Sequence, residues 1–454
     1  MTPQSLQTLA AWCGGRLLQG DPLQLVKSIS TDSRTVTEGA MLVALHGENF
    51  DAHDFLPAAA ARGCQAFLIA QELDSYPPGG VILVPDTLMA LQAMASIWRR
   101  TWGGKVIGLT GSNGKTSTKD LVHAVLSQAV QVCATQGNLN NHIGLPLTVL
   151  STNAADEIGV FEMGMNHPGE IAPLAAIAAP DAAIITNIGT AHIEYMGSRE
   201  AIALEKGMLA EAVPAEGCVI LNADDEFTPA IAARTPAYVL TAGFAENADV
   251  RVSEVNVVAL GSQFLLHFPN LPALPVRLPI PGRHMVSNAA LAAAAGYHFG
   301  LATEEIIAGL ESATLNKGRL QLRTLNGFTF LDDTYNANPD SMRAALETLL
   351  SLPCKGRRIV VLGRMGELGI HAEREHRTLG QLVTQLQFPL LCTVGDTEAQ
   401  WLAEGAGLGS KVHAFLTNAA CAEFLRHTLH PDDLVLLKGS RSAGMENILT
   451  SFAS

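Results

Sequence analysis

One loop of the sequence has the residues and the context of a phosphate-binding site. In KVIGLTGSNGKTSTKDLVHAVL an apolar strand ends at a glycine loop, and an amphipathic helical pattern begins at Lys115. Backbone N–H groups of such a loop, together with the helix N-terminus, surround phosphates with positive partial charge. Lys115 can reach between the β- and γ-phosphates of a nucleotide, and the Thr116 hydroxyl can hold Mg²⁺. The predicted nucleotide-binding residues of this loop are Gly111, Ser112, Asn113, Gly114, Lys115, Thr116 and Ser117.

The spacing of this loop departs from the strict phosphate-loop pattern, which places a glycine five residues before Gly114. Leu109 occupies that position, so the loop is a shorter variant in which Gly111 is the first glycine. The alternative interpretation is a glycine turn followed by a solvated lysine. We disfavour it because strand, loop and helix follow one another in the expected order.

Polar residues also follow two further predicted strands. Glu162 ends the apolar run IGVFE, where a carboxylate without a partner would be unfavourable. Asn187 and His192 follow the next strand, in AIITNIGTAHIEYMGS. Ligands bind at the carboxyl ends of parallel strands, so Glu162 and His192 are candidate Mg²⁺ ligands, although imidazole is the less usual ligand for a hard cation. Taken alone, His192 would more often be a hydrogen-bonded structural residue.

A second group of polar residues lies further along the chain. Lys206 occurs in the helical pattern REAIALEKGML, where a solvated lysine is the ordinary interpretation. Loops of the second half supply Arg319, Asp333, Tyr335, Asn336, Asn338, Glu367, Lys438, Ser440 and Arg441. Each loop alone could be a turn with capping residues. Because the loops fall at the ends of predicted strands, we expect their polar residues to meet at one edge of a sheet.

The elements that would position these residues alternate between short β-branched runs and longer helical patterns, which is typical of an α/β fold with parallel sheets. We expect three domains. Residues 1–103 would form a small α/β domain. Residues 104–321 would form a central phosphate-loop ATPase domain with a mostly parallel sheet and, after Asp249, added antiparallel strands. Residues 322–454 alternate strand and helix strictly, as in a doubly wound, Rossmann-like domain.

Composition narrows the possible partners and the compartment. Apolar residues make up 48% and charged residues 16% of the chain, which supplies buried cores and is unlike a disordered protein. The net charge of −14 argues against nucleic acid as a main ligand. We expect no membrane span and no secretion signal, and therefore a cytoplasmic protein. Seven scattered cysteines without a C-x-x-C pair favour a reducing compartment over disulfides or a zinc site.

The pattern of motifs resembles the cytoplasmic, peptidoglycan-building Mur ligases over nearly the whole chain. The blocks that carry the resemblance are TDSRTVTEGAMLVAL, TGSNGKT, GNLNNHIGLP, FEMGMN, TNIGTAHIE, GRHMVSNAALAAA, DDTYNANPDSM and LLKGSR. TGSNGKT alone would also fit folylpolyglutamate synthases, whereas DDTYNANPDSM with KGSR is similar to the branch that adds D-alanyl-D-alanine. The resemblance implies a monomeric, ATP-dependent ligase that joins UDP-N-acetylmuramoyl-tripeptide to D-Ala-D-Ala through an acyl phosphate.

The resemblance also implies a role for each matching residue. The implied catalytic residues are Lys115, Glu162, His192, Lys206 and Arg319. Two Mg²⁺ ions are expected, held by Thr116, Glu162, His192 and Lys206. Lys206 matches a lysine that CO₂ carbamylates in relatives, which would turn a cation into a carboxylate. Besides the phosphate loop, the implied ATP contacts are Asn288, Arg319, Asp333 and Asn336. The implied substrate contacts are Ser33, Arg34, Gly47, Asn140, Asn141, Asn338, Lys438 and Ser440.

Three residues depart from the family pattern, and alternatives to a ligase remain open at this point. Ser112 replaces a threonine, Met285 an asparagine beside the adenine contact, and Arg364 an aspartate. One alternative function is a phosphate-loop switch or motor, which the lack of coiled coil, repeats and a basic face disfavours. Another is a non-catalytic nucleotide-binding scaffold, which would require the polar loops to be incidental.

Overall fold

The computed structural model describes residues 1–47, 50–259 and 261–453. Among these residues the main strands form three mixed sheets, which we call the first, middle and third sheets in chain order. Helices pack against the sheets, and most neighbouring strands run parallel. The α/β fold predicted from the alternation of strand and helix patterns is therefore confirmed.

The first sheet lies in the N-terminal part of the chain. Its strands follow the order β2-β7-β6-β5-β4, with β2 antiparallel to β7, while β1 and β3 pair separately. The strands are β1 (Gln4–Ser5), β2 (Arg16–Gln19), β3 (Leu25–Val26), β4 (Ser28–Ser30), β5 (Ala40–Val43), β6 (Ala66–Ile69) and β7 (Gly80–Leu83). The helices are α1 (Leu6–Cys13), α2 (Leu56–Ala61) and α3 (Thr87–Trp102), with a 3₁₀ turn at Ala52–Phe55.

The middle sheet carries the phosphate loop and follows the order β16-β15-β14-β13-β12-β11-β8-β10-β9. The strands are β8 (Lys105–Thr110), β9 (Val132–Ala134), β10 (Ile158–Glu162), β11 (Ala182–Ile185), β12 (Cys218–Asn222), β13 (Tyr238–Gly243), β14 (Val250–Val258), β15 (Gly261–His267) and β16 (Leu274–Leu278). The helices are α4 (Lys115–Leu126), α5 (Gly144–Ser151), α6 (Ile171–Ala178), α7 (Ile193–Met196), α8 (Arg199–Glu211), α9 (Thr228–Ala232), α10 (Arg283–His298) and α11 (Thr303–Glu311). As expected, β14, β15 and β16 are antiparallel to one another and extend the parallel sheet.

The third sheet follows the order β17-β18-β22-β19-β20-β21. The strands are β17 (Gln321–Leu325), β18 (Phe328–Asp333), β19 (Arg358–Gly363), β20 (Leu390–Val394), β21 (Val412–Phe415) and β22 (Leu434–Lys438). The helices are α12 (Pro339–Ser351), α13 (Ala372–Gln385), α14 (Thr397–Gly405), α15 (Asn418–Thr428) and α16 (Glu446–Ala453), with 3₁₀ turns at Gly369–His371 and Arg441–Ala443.

The prediction that strand and helix alternate strictly in residues 322–454 is wrong at the start of the third sheet. There β17 and β18 form an antiparallel hairpin instead. Asn326 and Gly327 connect them with positive φ angles of 47° and 85°. An Asn-Gly pair between two strand-like runs is the usual signal for such a tight turn. Gln321, the first residue of β17, lies one position before the expected domain boundary.

One apolar core joins the middle and third sheets. The cluster that contains Leu121 and Val125 of α4 and Ile184 of β11 continues to Met342 of α12 and Val360 of β19. A run of buried alanines in α10 belongs to the same cluster: Ala289, Ala290, Ala292, Ala293, Ala294 and Ala295. A shared core of this kind holds the loops at the sheet edges in defined positions. Over the described ranges, no helix has both the length and the apolar character needed to cross a membrane.

Candidate active site

The phosphate loop connects β8 to α4, as predicted, and neighbouring strands brace it. Ser112 N–H donates to Asn187 O, and Asn113 N–H donates to Asn187 Oδ1, both at 2.9 Å. Gly114, which precedes α4, has a φ of 77°, and a side chain there would press on Asn288. A backbone turned this way aims N–H groups and the start of α4 at one point, which suits an anion. The Ser112 hydroxyl is buried and finds no partner among the described residues.

Thr116 and Glu162 form the oxygen-rich part of the site. Thr116 Oγ1 donates to Glu162 Oε2 at 2.9 Å, and Asn140 Nδ2 donates to Glu162 Oε1 at 2.8 Å. Glu162 is only 2% exposed, so these contacts offset the unfavourable burial of its carboxylate. Hydroxyl and carboxylate oxygens are the ligands that Mg²⁺ prefers. No cluster of three His, Cys, Asp or Glu side chains stands ready for a metal in the described part of the chain.

Arg319 reaches the phosphate loop from the loop that precedes the third sheet. Its Nη2 donates to Thr116 Oγ1 at 3.0 Å, and its guanidinium lies 4.2 Å from the centroid of the Tyr335 ring. Asn316, three residues earlier, donates through Nδ2 to Asp120 Oδ2 of α4 at 3.0 Å. Arg319 Nε is buried without a partner among the described residues. The guanidinium is thus held at the phosphate loop with a donor to spare.

His192 lies at the N-terminal end of α7 and contacts the third sheet. Its Nδ1 is 2.6 Å from Glu367 Oε2, which comes from the loop after β19. Both residues have left-handed backbones, with φ angles of 64° and 60°. The neighbouring His192 ring is the main cause that lowers the pKa of the Glu367 carboxyl, and Lys115 adds a smaller effect. The sequence placed both residues on loops, but it gave no sign that they would meet.

Two lysines lie close to the phosphate loop, Lys115 half-buried and Lys206 fully buried. Lys115 Nζ donates to Gly111 O at 2.8 Å, and burial lowers the pKa of its ammonium group, an effect that Glu162 opposes. Lys206 in α8 is fully buried, and its Nζ has no hydrogen-bond partner among the described residues. Burial holds the pKa of Lys206 well below its ordinary value, and nearby Lys115 lowers it further. The solvated-lysine interpretation of Lys206 is therefore wrong, because the side chain lies inside the protein.

The third sheet contributes a second charged group at the ends of β18 and β22. Lys438 Nζ donates to Asp333 Oδ2 at 2.5 Å and to Asn336 O at 2.9 Å. His284, at the start of α10, lies close to this pair. Burial lowers the pKa of its imidazole to about 4, an effect that Asp333 opposes and Lys438 strengthens. The sequence prediction included Asp333, Asn336 and Lys438 but missed His284.

The first turn of α12 docks directly on the middle sheet. Asn338 caps the helix and donates through Nδ2 to Asn113 Oδ1 of the phosphate loop at 2.7 Å. Asp340 Oδ2 accepts from Thr190 N–H at 2.9 Å and from the Thr190 hydroxyl at 3.1 Å. Asp340 was missed, although its place after an Asn-Pro cap could have marked it as a residue of an exposed helix start.

These groups surround one cleft of about 1790 Å³ between the middle and third sheets. The predicted residues that line it are Ser112, Asn113, Gly114, Lys115, Thr116, Ser117, Asn140, Asn141, Glu162, His192, Asn288, Arg319, Asp333, Asn336, Asn338, Lys438 and Ser440. Asp224, Phe244 and Arg283 also line the cleft, and Arg283 lies 3.5 Å over the Phe244 ring. Nothing in the sequence pattern marked these three.

Five predicted site residues do not line the cleft. Gly111 and Lys206 lie beneath its wall, and Ser33, Arg34 and Gly47 belong to the first sheet's loops. Arg34 is exposed and pairs with Asp32 Oδ2 at 2.8 Å. These first-sheet residues therefore lie outside the lining of the cleft, and their role in binding substrate stays a prediction.

Two of the departures from the family pattern have a visible environment. Met285 is buried, and its Sδ accepts a weak contact from Asn288 Nδ2 at 3.6 Å. Arg364 lies on the cleft wall and pairs with Glu398 Oε1 at 3.5 Å. Nothing in the structure explains the reversal of charge at Arg364.

Comparison with known proteins agrees with this geometry. Residues 109–296 match the model of the Mur ligase middle domain, and residues 318–441 match that of the Mur ligase, glutamate ligase domain. The chain is 36% identical to the UDP-N-acetylmuramoyl-tripeptide–D-alanyl-D-alanine ligase of Bacillus subtilis, over 99% of this chain and 98% of that protein.

Solved structures give the same result. A crystal structure of MurF from Acinetobacter baumannii matches with a TM-score of 0.91 at 35% identity, covering 100% of this chain and 99% of that one. MurF ligase from Thermotoga maritima in complex with ADP matches with a TM-score of 0.83 at 28% identity, covering 94% and 97%. The chain belongs to the Mur ligase family.

Proposed function

We propose that the chain is an ATP-dependent ligase that adds D-alanyl-D-alanine to UDP-N-acetylmuramoyl-tripeptide. The observation that carries this function is the cleft in which Lys115 and Thr116 of the phosphate loop meet Arg319, from the loop before the third sheet, and Lys438 of the third sheet. The full-length similarity to ligases of that name supports these substrates. A switch or a scaffold would not need a second, cation-lined wall opposite the phosphate loop.

The residues of the site fit ATP and Mg²⁺. The N–H groups at the start of α4, Lys115 and the spare Nε donor of Arg319 would hold the phosphates. Asn288 would contact adenine, and Asp333 with Asn336 would contact the ribose. Thr116, Glu162 and His192 would hold metal, and two ions are proposed. Bound Mg²⁺ would neutralise charge between the phosphates and the approaching carboxylate.

The proposed reaction has two steps, and a new bond forms in each. A terminal carboxylate oxygen of the tripeptide attacks the γ-phosphorus of ATP, which releases ADP and leaves an acyl phosphate. The amine of D-Ala-D-Ala then attacks the acyl carbon, the carbon–oxygen bond breaks, and phosphate departs as the amine loses its proton. Lys115 and Arg319 reduce the repulsion between the carboxylate and the phosphates, and each such fixed donor contributes roughly 10²–10³ in rate.

The two walls of the cleft also protect the acyl phosphate from water. Contacts from Asn338 to Asn113 and from Asp340 to Thr190 bring α12 against the phosphate loop. We place the incoming dipeptide near Lys438 and Ser440 on this wall, with the tripeptide near Asn140, Asn141 and Asn338. The uridine end of the long substrate would extend to Ser33, Arg34 and Gly47 of the first sheet.

Lys206 has the properties needed for carbamylation. A neutral amine adds CO₂ and loses one proton, and burial lowers the pKa of this amine, which favours its neutral form. The resulting carbamate would supply anionic oxygen for a metal in place of an unpaired buried ammonium group. We also retain the domain divisions 1–103, 104–321 and 322–454, a monomeric state and a cytoplasmic location as proposals.

An assay of ADP formation tests the function. We expect release of ADP that requires ATP, the nucleotide-linked tripeptide and D-Ala-D-Ala together. Replacing D-Ala-D-Ala by glutamate, lysine or diaminopimelate should abolish it, which separates this ligase from relatives that add single amino acids or glutamate to folates. ADP release that is independent of the amine acceptor would contradict the assignment.

A further inference from the structure

We propose that Arg364 binds the carboxylate of the incoming D-Ala-D-Ala, and that this contact makes the site specific for an acceptor with a free C-terminus. The inference rests on the proposed function, because it takes D-Ala-D-Ala as the acceptor. It adds a specificity-determining residue to the third-sheet wall of the cleft, beside Lys438 and Ser440.

The acceptor carries a negative charge that the wall of the cleft must match. Its C-terminal carboxyl is ionised at neutral pH, because an α-carboxyl group has a pKa of about 3.5. The amine at the other end must reach the acyl carbon, and two extended residues span roughly 7 Å. The carboxylate would therefore lie about that far from the cations that hold the reacting phosphate. Removing it from water without a cationic partner of its own would be unfavourable.

Arg364 lies on this wall and has a well-held main chain. It directly follows Gly363, the last residue of β19, and it lines the cleft. Arg364 O accepts from Ser440 N–H at 2.8 Å. The N–H of the next residue, Met365, donates to His376 Nε2 at 2.9 Å. Because the loop is tied to the end of β22 and to α13, the guanidinium group extends into the cleft from a fixed base.

Two other cations of the third sheet line the same wall, and each already has a close partner. Lys438 Nζ is 2.5 Å from Asp333 Oδ2, and only 3% of the lysine side chain is exposed. Arg441 Nη1 donates to Glu446 Oε1 at 2.8 Å. A new carboxylate at either cation would have to compete with the carboxylate that is bound there.

Arg364 has more capacity for a new anion than these two cations. Its Nη1 is 3.5 Å from Glu398 Oε1, which is long for a hydrogen bond, and 46% of its side chain is exposed. The other N–H groups of the guanidinium make no hydrogen bond with the described residues. A planar guanidinium with free donors can bind a carboxylate through two parallel hydrogen bonds.

The test compares D-Ala-D-Ala with its C-terminal amide, which keeps the amine and lacks the negative charge. For the wild-type chain we expect a KM for the amide about 10-fold higher than for D-Ala-D-Ala, a factor typical of a hydrogen bond to a charged group. Arg364→Gln should raise the KM for D-Ala-D-Ala by a similar factor and leave the KM for the amide unchanged. The KM values for ATP and for the nucleotide-linked tripeptide should not change, and neither should kcat.

Three further variants separate binding of the acceptor from a structural role. Arg364→Lys keeps the charge but not the paired donors, so its KM for D-Ala-D-Ala should lie between those of wild type and Arg364→Gln. Glu398→Gln removes the partner of Arg364 and should not raise this KM. Arg374→Gln is the matched control, because Arg374 also pairs with a carboxylate, that of Glu375, but does not line the cleft. Thermal unfolding checks that each variant is folded.

Several results would overturn the proposal. One is an unchanged KM for D-Ala-D-Ala in Arg364→Gln, and another is a rise in the KM for the tripeptide instead. An equal rise in Glu398→Gln would show that the ion pair only supports the fold. If Arg364→Gln prefers the acid over the amide as strongly as wild type does, another group binds the carboxylate. A wild-type chain that releases no ADP with D-Ala-D-Ala would instead overturn the ligase function itself.

Discussion

Arg319 Nη2 donates a hydrogen bond to Thr116 Oγ1 at 3.0 Å, although 203 positions of sequence separate the two residues. Thr116 also donates its own proton to Glu162, so one hydroxyl connects an arginine at the edge of the third sheet to a buried carboxylate of the middle sheet. A cation from the loop before the third sheet therefore lies at the phosphate loop of the middle sheet. The phosphates of a nucleotide bound to the loop would therefore be close to both Lys115 and Arg319.

Replacing Lys115 by alanine should stop catalysis without unfolding the protein. The ammonium group lies at the phosphate loop, and removing one fixed donor to a reacting phosphate typically lowers kcat by roughly 10²–10³. The measurement is the rate of ADP formation, with thermal unfolding as the check on the fold. Lys105→Ala is the control, because Lys105 lies at the other end of β8, largely exposed. Near-normal ADP release by Lys115→Ala would refute the role of the loop.

The Arg319→Lys variant should also have a low kcat, although the substitution keeps the positive charge. Lysine cannot both lie flat on the Tyr335 ring and donate through several N–H groups in fixed directions. We expect kcat to fall about 10- to 100-fold, with a smaller change in KM for ATP. Arg323→Lys, a partly exposed arginine on the adjacent strand, should behave like wild type. An equal fall of kcat in both variants would show that the Arg319→Lys change acts through the fold rather than through the phosphates.

Lys206 should take up CO₂ in the folded protein. With ¹³C-labelled bicarbonate, we expect a carbamate carbon signal in the NMR spectrum of the wild-type chain. Lys206→Arg should lack the signal, because a guanidinium group does not form this adduct under the same conditions. Unfolding with denaturant should also remove it, since burial is what favours the neutral amine. A wild-type protein that shows no such signal would leave Lys206 as an unmodified buried amine.

His284 should make the fold less stable in mild acid. Its folded pKa of about 4 lies below the ordinary value of 6.5, so the unfolded chain takes up this proton first as the pH falls. The stability that His284 confers is therefore complete above pH 6.5 and is lost between pH 6.5 and 4. The His284 ring is partly exposed to solvent in the cleft, which reduces the effect of the pKa shift. We therefore expect about 2 kcal/mol of extra destabilisation between pH 7 and 4.5.

The check on this pH dependence is denaturant unfolding of wild type and His284→Gln at both pH values. The variant should lose less stability in acid than wild type does. His427→Gln, which removes a largely exposed histidine, should follow the wild-type curve. The same pH dependence in wild type and His284→Gln would show that other groups cause the acid sensitivity.

Local patterns in the sequence were enough to place the phosphate loop and the carboxylate beside it. A strand, a glycine turn and a helix start are set by neighbouring residues, so the order of residue types alone located Gly114, Lys115 and Thr116. Glu162 was also identifiable, because a carboxylate that ends an apolar strand needs a polar partner nearby. The added antiparallel strands after Asp249 followed from their alternating pattern.

Contacts between sheets could not be read in the same way. The pairing of His192 with Glu367 and of Asn338 with Asn113 depends on how the third sheet packs on the middle one, and no local pattern encodes that. The burial of Lys206 has the same origin, because its helical pattern looks solvated until α8 is packed. The β17–β18 hairpin is different, because the Asn326-Gly327 pair is a local signal from which the hairpin could have been predicted.

The most direct test of the central claim follows the carboxylate oxygen. With the terminal carboxylate of the tripeptide labelled with ¹⁸O, an acyl phosphate requires that one labelled oxygen leaves with phosphate when the amine attacks. We therefore predict one ¹⁸O in the released phosphate for each new peptide bond, measured by mass spectrometry. Phosphate without label, released at the same rate, would show that water attacks ATP and that the cleft does not activate the carboxylate.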